Sequence, residues 1–199
     1  MRKPLFGVVV TAIVVAFVLG RLSAQDVEPS CSMCPAAYIG AAEVEQFISV
    51  AKATGTTDQQ VRSIDIGRTN VQVALAHRGA LDEPRPTSVA VHDLVTEVYY
   101  VLSGSGTNRT GPDLIAAQRR PPDNRAVQFL NGPGRNAADI QNPDTHELKA
   151  GDVFVIPAGT GHQFTKIADH ITYLMVRIDP DKVVPLMDEA AARAYLAGQ

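Results

Sequence analysis

The sequence predicts an all-β domain carrying a short helix at either end. Apolar runs rich in β-branched and aromatic residues recur from Val61 to Ile178, separated by Gly, Pro, Asn and Asp. That is the pattern of strands joined by turns. Helical periodicity is confined to Ala41–Ala53 and Pro185–Ala197. The third observation is Gly151-Asp152-Val153-Phe154-Val155-Ile156-Pro157-Ala158-Gly159-Thr160-Gly161-His162. It reads as a strand, a tight bend and a histidine returned to the sheet. Pro157 cannot donate to a ladder, and Gly159 and Gly161 supply the backbone freedom a sharp turn needs.

Taken in order, the chain opens on a targeting segment. Arg2 and Lys3 precede an apolar run from Leu5 to Leu19, and Leu22-Ser23-Ala24 offers a small-residue cleavage site before Gln25. Residues 1–24 are expected to be a signal peptide, which makes the protein exported, periplasmic or secreted. The alternative is an uncleaved membrane anchor, against which the run is short for a full span. Cleavage removes Arg2, Lys3 and Arg21 and no acids, moving the formal charge from −3 to −6.

Residues 25–60 are expected to form an N-terminal tail with a cysteine pair and a short helix. Cys31 and Cys34 are the chain's two cysteines, and in an oxidising compartment they are disulfide candidates. Pro35 follows where haem attachment needs His, and a zinc ribbon would need a second pair. Val44, Phe47, Ile48 and Ala51 then share a helical face, and Gly55 would end that helix.

Residues 61–180 carry the strands. Val61–Ile66, Val71–Ala76, Ser88–Val91 and Glu97–Leu102 are expected in succession, followed by a turn over Ser103-Gly104-Ser105-Gly106-Thr107. Residues 108–147 are less regular, with short strands expected at Val127–Leu130 and Ala138–Ile140 and a hairpin across Asn131-Gly132. A connection this long is commonly functional or unstructured. Ile171–Ile178 reads as a continuous apolar strand, and residues 181–199 as a closing helical segment.

Composition narrows the functional classes. At 199 residues, with 45% hydrophobic and 20% charged residues, one sizeable core is expected. No basic stripe interleaved with aromatics points to nucleic acid, and the absence of Trp offers no stacking platform for sugars.

Two motifs carry the chemistry. His92-Asp93-Leu94-Val95-Thr96-Glu97-Val98-Tyr99-Tyr100-Val101-Leu102-Ser103-Gly104 spaces a histidine, a glutamate and a glycine. Gly151, Pro157, Gly159 and His162 form the second. Together they resemble the two signature motifs of the cupin superfamily over roughly residues 64–180. The resemblance implies a double-stranded β-helix, or jelly-roll, barrel and a metal site formed by His92, Glu97 and His162. The family pattern would place one more histidine at Ala90 and often an asparagine at Lys166. It also implies a homodimer paired through its sheets.

Chemistry supports the same set. Two imidazoles and a carboxylate suit Fe, Mn, Ni, Zn or Cu, and a carboxylate inside a small barrel is costly unless paired or metal-bound. Glu97, Tyr99 and Val101 share one strand face, so Tyr99 is a pocket candidate, as are Tyr173 and Arg177 by alternation. Core roles for both tyrosines, and a buried Glu97–Arg177 pair in place of a metal ligand, stay open. His77, His146 and His170 lie outside the motifs. Three functions remain: a metal-dependent enzyme on a small organic substrate, of dioxygenase, isomerase or lyase type; a non-catalytic small-molecule-binding barrel with a degenerate metal site; and a structural oligomer. No catalytic acid or base stands out beyond the ligands.

Overall fold

A computed structural model describes residues 28–198, so the expected signal segment lies outside the described residues. Of the described residues, 28–33 belong to one unit and those from Cys34 onward to another. Residues 28–33 contain bends but no helix or strand, and neither cysteine is a free thiol. Among the described residues no helix is long and apolar enough to cross a membrane.

Helix α1 (Ala41–Thr54) ends as expected at Gly55, whose φ of 69° is the left-handed cap. Its Phe47 and Ala51 are buried, and Val44 and Ile48 pack beside them. They meet Val61 and Leu75 from the barrel wall and Ala192 from helix α2 (Glu189–Ala197). Phe47 and Tyr195 stack at 6.0 Å. Burying Phe47 fully is worth roughly 1.5–3 kcal/mol. Helix α2 starts later than Pro185 because Met187 pairs through both backbone groups with Ser63, holding the preceding residues extended. Asp188 then caps the helix by accepting from Ala191 N at 2.8 Å.

The barrel is an all-antiparallel jelly roll. Strands β1 (Asp58–Asp65), β2 (Asn70–Arg78), β3 (Val89–His92) and β4 (Thr96–Gly111) come first. After β5 (Leu114–Ile115) and β6 (Gln118–Arg119) come β7 (Gly134–Ala137), β8 (Asp139–Ile140) and β9 (Asp144–Lys149). Strands β10 (Val153–Ile156), β11 (Gly161–Lys166) and β12 (Ile171–Asp179) complete it. The order is β1-β2-β12-β4-β11-β3-β7-β6, with β9 and β10 also on β4. Strand β4 belongs to both halves: its first part pairs with β12 and β10, its second with β9 and β11.

That shared strand corrects the turn expected at 103–107. Those residues stay within β4, and the chain bends without leaving the ladder. Leu102 is skipped between the Thr172–Ser103 and Tyr173–Val101 pairs, a bulge that sharpens the twist. Gly104 then adopts φ 75°, where an added Cβ would lie 1.9 Å from the His170 carbonyl oxygen. The strand expected at Val127–Leu130 is instead a single π-helical turn, Ala126–Leu130. Asn124 Oδ1 accepts from Ala126 N, and Asn131 N donates back to the Ala126 carbonyl at 2.9 Å. These local bonds use the backbone groups a strand would need. The hairpin therefore does not turn at Asn131-Gly132; β6 and β7 pair across the longer 120–133 connection.

Inside the barrel, Ala74, Ala76, Tyr99, Val101, Tyr173 and Met175 belong to the main core. Tyr100 and Leu102 point outward and are exposed, as the alternation of β4 requires.

Candidate metal centre

Short connections hold the two motifs together. After β3, three residues return the chain so that Glu97 enters β4 facing inward. Strand β10 delivers the second motif, with Ile156 opposite Glu97. The bend after Ile156 closes through Thr160 N donating to the Pro157 carbonyl at 3.1 Å. Its Gly159 N donates at 2.7 Å to the carbonyl of His92 itself. Gly161 sits where a Cβ would come within 2.5 Å of Leu114. His162 then lies directly across from Ala90 in the β3–β11 ladder, so the two motifs share one wall.

His92, Glu97 and His162 converge, all buried, each offering one ligand atom within 4.8 Å of the others. His92 Nε2 lies 3.5 Å from Glu97 Oε1, and His162 Nε2 lies 3.6 Å from Oε2. The imidazole centroids are 5.0 Å apart. These separations are too long for strong hydrogen bonds. Glu97 is held from behind instead: Oε1 accepts from Arg177 Nε and Oε2 from Tyr99 Oη, each at 2.8 Å. Arg177 also donates to Gln60 Oε1 at 3.1 Å and pairs with Asp58. The buried pair left open by the sequence therefore exists. It does not consume the carboxylate, because each oxygen has two lone pairs.

Burial opposes ionisation of Glu97, but the neighbouring His92 and Arg177 outweigh it and hold its carboxyl well below the usual range. Burial, reinforced by repulsion from His92, lowers His162 to about 4. At neutral pH His162 is thus uncharged. Its Nδ1 lies 3.3 Å from the Thr160 carbonyl, which can only accept, so Nδ1 carries the proton and the Nε2 lone pair faces Glu97. A backbone carbonyl fixing the tautomer is the usual support for a metal-binding imidazole. His92 is bordered by Asn131 Nδ2 at 3.4 Å and Arg120 Nη1 at 3.5 Å.

The donor set and its orientation fit one divalent first-row ion. An ion held there would supply Lewis acidity to a bound oxygen or water. Ala90 contributes only a methyl group beside His162, so this chain offers three ligands.

The other histidines stay apart from the cluster. His77 Nδ1 meets Thr172 Oγ1 at 2.8 Å, His146 Nε2 meets Thr110 Oγ1 at 3.2 Å, and His170 contacts Asp169 and Ser103. Tyr99 and Tyr173 line a cavity of about 210 Å³ bordering the cluster, whereas Arg177 lies behind Glu97. Sequence reasoning missed Arg120, Asn131, Asp58, Gln60 and Arg78. For Arg78 a signal existed: it continues the Ala74, Ala76 alternation of β2. For Arg120 and Asn131, which come from the irregular connection, none did.

A family model for AraC-like ligand-binding domains matches residues 140–199, which include β9 to α2 and the His162 motif. Solved structures similar to this chain include a Bacillus halodurans protein at 17% identity, covering 80% of this chain and 96% of that one, TM-score 0.41. A cupin protein from Bacteroides fragilis matches at 16% identity, covering 79% and 93%, TM-score 0.38. A Klebsiella pneumoniae protein with a double-stranded β-helix domain matches at 15% identity, covering 65% and 85%, TM-score 0.35. Among curated proteins none matches.

Proposed function

We propose that this chain is an exported cupin that holds one divalent metal ion through His92, Glu97 and His162, with a small organic molecule beside it. The observation that carries this reading is the convergence of three buried ligand atoms within 4.8 Å, with His162 fixed by Thr160 in the ligating tautomer. The match to ligand-binding domains supports a small-molecule role, and residues 1–24 support export. Metal-dependent chemistry of dioxygenase, isomerase or lyase type is the catalytic form of the reading.

A second reading, a non-catalytic binding barrel, is favoured by two observations. Arg177 neutralises Glu97 without any ion, and Ala90 withholds an imidazole. The reading extends to a homodimer, supported by exposed Tyr100, Val153 and Val155 on adjacent strands of one outer face.

Elemental analysis of untagged protein from its native compartment is the test. Close to one Mn, Fe, Ni, Zn or Cu per chain supports the first reading. No metal after reconstitution overturns it in favour of the second.

A further inference from the structure

A larger cavity, about 460 Å³, adjoins the cluster, within the range of small-molecule sites. It shares Arg78, Ala90, Tyr99 and His162 with the smaller one. Its wall carries Lys52, Arg78 and Arg85 and no aspartate or glutamate, in a chain whose formal charge is −3. The two carboxylates of the smaller cavity, Asp58 and Glu97, are both committed to Arg177.

Arg78 is the informative residue. Its Nε donates to Tyr173 Oη at 3.0 Å, and its guanidinium lies over the Phe164 ring at 5.3 Å. Those contacts fix the plane of a half-buried side chain. Among the described residues, Arg78 has no carboxylate partner, whereas Arg62, Arg109, Arg135 and Arg177 each do. A partly desolvated guanidinium without a counter-ion is costly, and its planar donors match a carboxylate. Tyr99, Phe164, Leu81 and Ile167 give the same wall an apolar side. That combination suits an organic anion better than an inorganic one. Ala90 lines both cavities and lies across from His162 in the ladder, so the small side chain that withholds a ligand also adds little bulk between the larger cavity and the cluster.

We infer that this cavity is a site for a small organic carboxylate, anchored on Arg78 and reaching the His92–Glu97–His162 cluster past Ala90. The inference rests on the small-molecule part of the proposed function but not on a metal being bound.

Calorimetric titration of the full purified protein tests it, with benzoate, its neutral counterpart benzamide, and inorganic phosphate as probes. Each is run with metal present and after chelation, and metal content is measured on the same samples. Benzoate is expected to bind at least about tenfold more tightly than benzamide or phosphate, a discrimination typical of a paired buried charge. The variant R78Q should lose that factor while keeping its metal content, and R78K should recover part of it. A90L should weaken benzoate by adding bulk between the larger cavity and the cluster. Equal binding of benzoate and benzamide, equal binding of phosphate, or benzoate binding indifferent to R78Q overturns the inference. If R78Q does not fold, the wild-type comparison of the three probes decides alone. Metal without carboxylate selectivity sinks the inference and leaves the metal reading standing. Carboxylate selectivity in a protein that takes up no metal does the reverse.

Discussion

Arg177 and Glu97 are direct cross-strand partners on β12 and β4, and their side chains meet at 2.8 Å inside the barrel. Register alone sets this pairing: opposite residues of an antiparallel ladder point to the same face. The arginine, fully buried, also reaches Asp58 and Gln60 on β1. One guanidinium thus ties three strands together and keeps Glu97 ionised and oriented toward the two histidines.

The first prediction concerns that arginine. R177L would strand Glu97 and Asp58 in the interior without their cation. Breaking a buried pair from one side costs about 3–5 kcal/mol, so urea unfolding of the metal-free variant should show a loss of that order. A loss under about 1 kcal/mol, the worth of a surface pair, would mean that Glu97 takes up a proton or water instead.

Metal uptake provides the second. H162A removes a ligand, which should weaken binding by more than the roughly 10–100-fold that losing an outer partner costs. H146A should leave uptake unchanged, because His146 bonds to Thr110 and packs on Phe154 away from the cluster. Dialysis against Zn followed by elemental analysis compares them. Similar retention in both variants would refute the assigned ligand set.

Much of this site was legible in the chain because it is local. His92 and Glu97 sit five positions apart, and Gly159 and Gly161 announce the bend that delivers His162. What lay beyond reach was long-range. Asp58 lies 119 positions from Arg177, and only the β1-β2-β12-β4 order brings them together. Gly104 misled for a physical reason. A glycine pair in a polar run signals a reversal, yet β4 uses the same backbone freedom to bend while its ladder continues.

That bend yields a third prediction. G104A would place a methyl group 1.9 Å from the His170 carbonyl oxygen at a φ of 75°. The carbonyl is backbone and is tied to Ser105 N at 3.0 Å, so it cannot move cheaply. Positive φ alone costs a non-glycine residue about 1–2 kcal/mol, and the clash adds to it. The melting temperature should fall by several degrees or more, at roughly 2–4 °C per kcal/mol for a chain of this size. By contrast, G151A, with nothing within 4 Å of its added Cβ, should lose only the backbone contribution. Equal shifts in the two variants would show that the β4 corner relaxes around the methyl group.

The phenols offer a readout of the barrel interior that needs no mutation. Burial raises the Tyr99 hydroxyl well above its ordinary value, with the negative Glu97 beside it adding to the shift. Burial likewise raises Tyr173, against the opposing charge of Arg78. In the unfolded chain both would ionise near pH 10. Above that pH the folded state keeps protons that the unfolded state has lost. Stability should therefore be fully present below about pH 10 and decline as the pH rises through the folded values. An ultraviolet absorbance titration should show an early class of phenols and a late class that ionises only as the barrel opens, with circular dichroism falling in step with the late class. A single class titrating near pH 10 in a still-folded protein would place Tyr99 and Tyr173 in contact with solvent and contradict the buried Tyr99–Glu97 hydrogen bond.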